Sequence, residues 1–187
     1  PRDVTLRRPN VLSVGVGTAL AGFLLVGLVG ARGYVANFLA YRGFDAPREP
    51  AFVTSPGVTR RVLVRSPALG GRRQEVYVYL PSGYAASPTR RYPVLYLLHG
   101  FPGRPLALIE TVRMGIIDDA LTAKRRAQPL ILVMPFGSTG TFNDKEWANG
   151  ATAGNGWGTF VARDVVRYVD THYRTIARPS ARAIGGL

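Results

Sequence analysis

The stretch Arg91-Tyr92-Pro93-Val94-Leu95-Tyr96-Leu97-Leu98-His99-Gly100-Phe101-Pro102-Gly103 decides the fold of this chain. Apolar residues, with β-branched and aromatic types among them, fill the segment between Pro93 and His99. Such a run is typical of a strand that is buried on both faces of a parallel sheet. A loop then begins at Gly100. The segment therefore predicts an α/β fold in which a loop leaves the carboxyl end of a buried strand.

Strand and helix patterns alternate through the rest of the chain. The runs Arg61–Val64 and Gln74–Leu80 are strand-like, and the Gly70-Gly71 turn between them predicts an antiparallel hairpin. Around the Val94 strand we expect helix, strand, helix and strand at Leu106–Ala123, Leu130–Met134, Thr159–Tyr173 and Ala183-Ile184. This order of elements predicts the N-terminal half of an α/β-hydrolase sheet.

The last residues of the sequence fit the approach to a G-x-S-x-G nucleophile elbow. In that motif glycines flank the serine because a side chain would clash in the close-packed turn. Gly186 takes the first glycine position and Leu187 the variable one. We therefore expect a serine to follow Leu187 in a longer protein. A Gly-Gly-Leu run is also typical of an ordinary loop, so this interpretation depends on the sequence upstream.

The loop after Leu98 is a candidate oxyanion hole. In α/β-hydrolases a backbone N–H in the loop after the third strand donates to the developing oxyanion. Gly100 lets the backbone approach a substrate carbonyl, and the expected donor is the N–H of Phe101. His99 is expected to orient the loop by hydrogen bonds. The alternative is an ordinary strand-to-loop corner in which His99 is a capping side chain.

With these motifs the chain resembles the α/β-hydrolase family of putative esterases, which includes esterase D-like enzymes and the antigen 85 mycolyltransferases. Matching stretches occur in family order across residues 60–187. They are Val78–Tyr84, Tyr92–Gly100, Phe136–Trp147, Trp157–Arg174 and Arg182–Leu187. The resemblance implies Ser-His-Asp/Glu acyl chemistry and carries the oxyanion donor over onto Phe101.

The resemblance also bears on Trp147 and on the type of reaction. Trp147 matches a tryptophan near the active-site loops of the family, which implies contact with substrate, although core packing is the alternative explanation. Antigen 85 enzymes have an acidic residue where this chain has His99, and an arginine where it has Pro102. Ester hydrolysis is therefore better supported than mycolyl transfer.

The order of the triad in this fold is serine, acid, histidine, so we expect all three residues to lie beyond Leu187. The chain by itself is then expected to be inactive. His172 falls in the last turn of a predicted helix, where a polar or cationic side chain suits the helix dipole.

No metal site or cofactor is predicted. Asp118 and Asp119 are interpreted as an exposed helix face, and Asp144 and Glu146 as solvated loop residues, because none of them shows the spacing of cation ligands. The sequence contains no cysteine, which excludes disulfides and thiolate ligands.

The segment Val11–Val29 carries no charge and, at about 1.5 Å per residue, is long enough to cross a bilayer as a helix. We therefore expect an N-terminal flank and transmembrane anchor over residues 1–41, a proline-containing linker over 42–57 and an incomplete esterase-like domain over 58–187. The alternative is a signal peptide that is cleaved near Val29-Gly30-Ala31.

The net charge of +13 does not by itself indicate nucleic-acid binding. The cations are scattered in pairs, and no nucleic-acid-binding motif accompanies them. A basic surface close to a bilayer suits anionic lipid or an envelope polymer.

Together these patterns predict a membrane-anchored serine esterase or acyltransferase at the cell membrane, with its catalytic domain outside the cytoplasm. Its expected partners are the membrane and an ester substrate, such as a lipid or a cell-envelope glycan. The alternatives are a non-catalytic binding module on the same fold and a polyanion-binding surface protein.

Overall fold

The structure is a computed structural model that describes most of the chain. The described residues are 20–28, 31, 32, 35, 48–101, 103–140, 143 and 145–186. The chain divides into two units, Pro1–Ala46 and Pro47–Leu187.

In the first unit, residues 20–28 are helical and their large apolar side chains are exposed. Among the helices of the described residues, none has both the length and the apolar character needed to span a bilayer. The rest of the predicted span, residues 11–19 and 29, lies outside the described residues, as do residues 42–47 of the predicted linker. The predicted domain boundaries stay predictions.

The second unit contains a five-stranded sheet with the strand order β1-β2-β4-β3-β5. The strands are β1 Val58–Ser66, β2 Arg72–Leu80, β3 Val94–Leu98, β4 Ile131–Pro135 and β5 Arg182–Gly186. The β1–β2 and β2–β4 pairs are antiparallel, whereas β3 is parallel to both β4 and β5. The predicted hairpin and the predicted parallel strands are confirmed.

Apolar side chains cover both faces of the sheet. Along β2, the buried side chains of Val76 and Val78 belong to one core cluster and those of Tyr77 and Tyr79 to the other. This alternation follows from the two-residue period of a strand. The second cluster also contains Leu97, Leu108, Leu132 and Met134. Burial on both faces explains why β3 and β4 are nearly continuous apolar runs.

Helical regions pack on this sheet. Helix α1 is Pro105–Glu110 and helix α2 is Met114–Ala123. Region α3 begins as the α-helical turn Trp157–Thr159, continues as the π-helical segment Phe160–Val165 and ends as the α-helix Val166–His172.

The prediction of one continuous helix over Leu106–Ala123 was wrong. The helix breaks before α2 because Arg113 has a φ of 59°, a left-handed conformation that a right-handed helix cannot continue through.

The prediction that Asp118 and Asp119 are exposed was also wrong. Only 6% of Asp118 and 1% of Asp119 is exposed. The Asp119 carboxylate accepts hydrogen bonds from the backbone N–H groups of Gly57, at 2.7 Å, and Ser82, at 2.9 Å. Asp119 therefore joins α2 to the chain on either side of the β1–β2 hairpin. Its burial is tolerated because these backbone donors replace the water that a carboxylate usually needs.

Asp118 is less completely satisfied. Its Oδ2 atom has no hydrogen-bond partner among the described residues. Burial raises the pKa of Asp118 to about 7, and the neighbouring Asp119 acts in the same direction, whereas a hydrogen bond with the Leu130 backbone opposes the shift. The folded state thus favours a protonated Asp118 carboxyl group.

We predict that Asp118 makes the protein less stable as the pH rises from about 4 to about 7. The folded-state pKa of about 7 lies above the ordinary value of 3.8, so in this window the folded state binds more protons than the unfolded state. The free energy of unfolding then falls by up to about 1.4 kcal/mol per pH unit. Asp118→Asn removes the titrating group. The free energy of unfolding of this variant, relative to that of the parent, should therefore increase as the pH rises from about 4 to about 7 and stay constant at higher pH.

Urea unfolding of both proteins at several pH values measures this difference. Parallel stability curves for the parent and for Asp118→Asn would show that Asp118 does not bind an additional proton in the folded state.

Candidate active site

The carboxyl ends of three parallel strands meet at one edge of the sheet. Leu98 of β3 lies opposite Gly186 of β5, and Tyr96 of β3 lies opposite Val133 of β4. The loop that begins at His99 therefore starts between the ends of β4 and β5. In open α/β sheets ligands bind outside the carboxyl ends of the strands, which makes this edge the candidate active site.

His99 connects the loop after β3 to the loop after β4. Its ring is buried, its Nε2 atom accepts a 3.0 Å hydrogen bond from the Gly137 N–H, and its Nδ1 atom lies 3.1 Å from the Gly100 carbonyl oxygen. Because Nε2 accepts, the network assigns the proton of the neutral ring to Nδ1, which donates to Gly100. These contacts suit the predicted loop-orienting role of His99, which stays a prediction.

The bond from His99 to Gly100 acts on one particular peptide group. The Gly100 carbonyl and the Phe101 N–H belong to the same planar peptide and point in opposite directions, because the bond is normally trans. Holding the carbonyl towards Nδ1 therefore also fixes the direction of the N–H. The backbone N–H of Phe101 has no acceptor among the described residues, and its side chain is 72% exposed. This N–H can accordingly be directed at a ligand.

Trp147 packs over His99. Its Nε1–H donates a 3.1 Å hydrogen bond to the His99 carbonyl, and the two rings meet edge to face with their centroids 5.3 Å apart. Gly137 lies against the indole so closely that a Cβ atom there would be 2.7 Å from the ring atom Cη2. Only glycine fits at this position without moving the tryptophan. Contact between Trp147 and a substrate stays a prediction.

An apolar cavity of about 350 Å³ lies beside Trp147. Its apolar lining comes from β3, β5 and α3 and includes Leu98, Val161, Val166, Ala183 and Ile184. Tyr96 and Arg182 are polar members of the lining, and Arg182 forms an ion pair with Asp170. Burial raises the pKa of Tyr96, which keeps its hydroxyl neutral. The surroundings of Trp147 are therefore mainly apolar on the α3 side.

Gly186, the expected first glycine of the nucleophile elbow, lies at the same edge. Gly186 ends β5, and a Cβ atom there would lie 3.1 Å from the Leu98 carbonyl oxygen, closer than an ordinary contact. Leu187 and Pro102 lie outside the described residues. Because Leu98 pairs with Gly186, β5 ends two residues before the level of Gly100, near the start of the loop that carries Phe101.

Of the remaining candidates, the described residues His172 and Glu146 take no part in the contacts around His99. His172 is exposed on α3, where its Nδ1 atom lies 2.8 Å from the Tyr168 carbonyl and its ring stacks on that of Tyr168. Glu146 is exposed, and Asp144 lies outside the described residues. Across the part of the chain that the structure describes, no group of three acidic or histidine side chains is arranged to hold a metal ion.

Sequence reasoning missed the contribution of the loop after β4. Phe136 packs on the His99 ring, with the centroids 5.7 Å apart, and Gly137 supplies the N–H that His99 binds. The available signal was the Phe-Gly pair directly after the buried strand, at the same edge as His99.

Comparison with known proteins is consistent with this geometry. A model of the family described as "Putative esterase" matches residues 66–187. An endo-1,4-beta-xylanase/feruloyl esterase of Xylanibacter ruminicola is 32% identical over 120 residues, which cover 63% of this chain and 16% of that protein. An esterase of Mycobacterium tuberculosis is 34% identical over 112 residues, which cover 60% of this chain and 23% of that protein.

Solved structures of ferulic acid esterases share the fold. One is 25% identical with a TM-score of 0.63, and the match covers 70% of this chain and 50% of that one. Another, from Anaeromyces mucronatus in complex with ferulic acid, is 19% identical with a TM-score of 0.60, and the match covers 75% of this chain and 52% of that one. The chain thus spans about half the length of these structures and a smaller share of the curated relatives.

We predict that His99→Leu destabilises the folded chain by about 1–3 kcal/mol, because the buried Gly137 N–H loses its acceptor. His99→Gln is the matched control, since its amide oxygen reaches towards the position of Nε2 and should recover part of the loss. Urea unfolding of the three proteins at one pH gives the comparison. Equal stability of the Leu and Gln variants would mean that the hydrogen bond to Gly137 contributes nothing measurable.

Proposed function

The chain belongs to the "Putative esterase" family, and on that premise we propose that it forms part of a serine hydrolase acting on carboxylic esters. The observation that carries the proposal is the shared edge of β3 and β5, where the loop that contains Gly100 and Phe101 leaves β3 beside the strand that ends at Gly186. Relatives named as esterases and feruloyl esterases support the reaction class. The activity is proposed for a longer protein, because the chain spans only part of each relative.

In the proposed reaction a serine that follows Leu187 attacks the ester carbonyl carbon. A histidine takes the serine proton, and the carbonyl oxygen becomes an oxyanion that accepts hydrogen bonds from the Phe101 N–H and from the amide after the serine. Collapse of this intermediate breaks the bond to the alcohol, which leaves with the proton from the histidine. Water then releases the acyl group in the same manner, and in an acyltransferase another hydroxyl would take its place. The histidine and its acidic partner would also come from beyond Leu187.

The contribution of this chain to the reaction is to prepare the oxyanion donor before substrate binds. Donors that are already directed at the developing charge stabilise the transition state without reorganisation. The neutral His99 ring holds the Gly100 carbonyl, and through it the Phe101 N–H, while Trp147 and Gly137 hold His99.

We predict losses of very different size for two substitutions of Phe101 in the longer enzyme. Phe101→Ala keeps the backbone N–H, so kcat should fall only modestly. Phe101→Pro removes the N–H and should lower kcat by about 10²- to 10³-fold, the usual loss for one oxyanion donor. Turnover of p-nitrophenyl acetate and of methyl ferulate measures both effects.

Thermal melting of the two Phe101 variants is the control, because proline can also disturb the loop. If a well-folded Phe101→Pro enzyme retained its kcat while Phe101→Ala lost it, Phe101 would contact substrate through its ring and would not be the donor.

We predict that the chain ending at Leu187 does not hydrolyse these esters, whereas the longer protein does. The proposed nucleophile, base and acid are all missing from the shorter chain, so only the oxyanion donors remain. The two proteins are assayed side by side, and the longer one is inhibited with a serine-reactive phosphonate. Phosphonate-sensitive turnover by the shorter chain would place the nucleophile within residues 1–187 and overturn the proposed order.

We further propose that residues 11–29 anchor the enzyme in the cell membrane, with the catalytic domain outside the cytoplasm. The support is the uncharged sequence of this segment together with the helix over residues 20–28. The anchored protein should stay with the membrane pellet during alkaline carbonate extraction. Release into the supernatant, with a new N-terminus at Arg32, would instead indicate a cleaved signal peptide.

A further inference from the structure

Helix α2 exposes apolar side chains on the face that points away from the sheet. Ile117 is 42% exposed and Leu121, one turn later, is 36% exposed. Lys124 follows the end of the helix, and its Nζ atom lies 5.1 Å above the ring of Phe52, which is 50% exposed. At the helical period, positions 117, 121 and 124 share one face. This face therefore combines exposed apolar groups with a cation that covers an aromatic ring.

Basic side chains lie next to these apolar groups. Arg125 and Arg126 are exposed directly after Lys124. Both carboxylates of α2, Asp118 and Asp119, are buried. No carboxylate of α2 itself therefore offsets these cations. We name this surface the α2 patch, defined by Phe52, Ile117, Leu121, Lys124, Arg125 and Arg126.

The chemistry of the α2 patch fits the surface of an anionic bilayer. Interfacial helices place apolar side chains at the level of the headgroups and basic side chains beside the phosphates. Near such a surface each cation contributes on the order of 1 kcal/mol of attraction. A stable protein partner typically needs roughly 800 Å² on each side with a well-packed apolar centre, more than three half-exposed apolar side chains supply.

We propose that the α2 patch docks on anionic lipid, with Phe52, Ile117 and Leu121 at headgroup depth and the three cations facing lipid phosphates. The contact is independent of ester chemistry. The membrane anchor proposed above would only keep the domain near the bilayer. Docking through α2 would also fix which side of the domain faces the membrane.

The absence of cysteine from the sequence makes a local test practical, because a single introduced cysteine takes the label. Ile117→Cys and Leu121→Cys are labelled in the full chain with the polarity-sensitive fluorophore NBD. Leu63→Cys is the matched control, because Leu63 is also an apolar residue, 50% exposed, but lies on β1. Each protein is mixed with vesicles of phosphatidylcholine alone or of phosphatidylcholine with phosphatidylglycerol. Flotation of the vesicles reports separately whether the chain is anchored.

The labels at positions 117 and 121 should shift to shorter emission wavelengths with the anionic vesicles and be quenched by spin-labelled lipid, whereas the label at 63 should not respond. Adding Lys124→Gln, Arg125→Gln and Arg126→Gln should weaken the contact roughly fivefold per charge at low salt, and circular dichroism checks that this variant is folded.

Equal responses at 63, 117 and 121, or no dependence on anionic lipid, would overturn the proposal even if the chain floats with the vesicles. A shift at 117 that follows protein concentration without lipid would identify a contact between copies and would also overturn it.

Discussion

The neutral ring of His99 is the constraint on which the candidate site depends. Its two nitrogens have different tasks, since Nε2 accepts from Gly137 and Nδ1 donates to Gly100. A doubly protonated ring would donate from both nitrogens and would leave the Gly137 N–H without an acceptor. These contacts therefore require one tautomer of one buried ring, and in our proposal that ring sets the direction of the Phe101 N–H.

Packing around His99 makes this arrangement specific. Trp147 binds the His99 carbonyl and covers the ring, while Gly137 leaves just enough space for the indole. The parallel register of β3 and β5 then places Gly186 opposite Leu98, so that the loop and the end of β5 are neighbours. The His99 side chain thus holds the Gly100 carbonyl, and the backbone hydrogen bonds between β3 and β5 place this loop beside the strand that we propose leads to the nucleophile.

Much of this framework was predictable from the sequence, because burial leaves a strong pattern. The apolar runs of β3 and β4 reflect burial on both faces, and the Gly70-Gly71 turn marks the hairpin. The break before α2 was not predictable, because apolar spacing continues through Arg113 although its backbone is left-handed. The burial of Asp119 also escaped prediction, because it depends on backbone donors at Gly57 and Ser82 that are distant in sequence. The hydrogen bond between His99 and Gly137 was not predictable for the same reason, because it depends on β3 and β4 lying side by side.

The most direct measurement is a crystal structure of the longer protein after reaction with a serine-reactive phosphonate. The adduct imitates the tetrahedral intermediate, and its phosphoryl oxygen takes the position of the oxyanion. Our account predicts that the phosphorus is bonded to a serine directly after Leu187, that the oxygen lies about 2.7–3.1 Å from the Phe101 nitrogen, and that the His99 contacts to Gly100 and Gly137 are retained. An adduct on another residue, or a phosphoryl oxygen bound by other donors with the Phe101 N–H turned away, would contradict it.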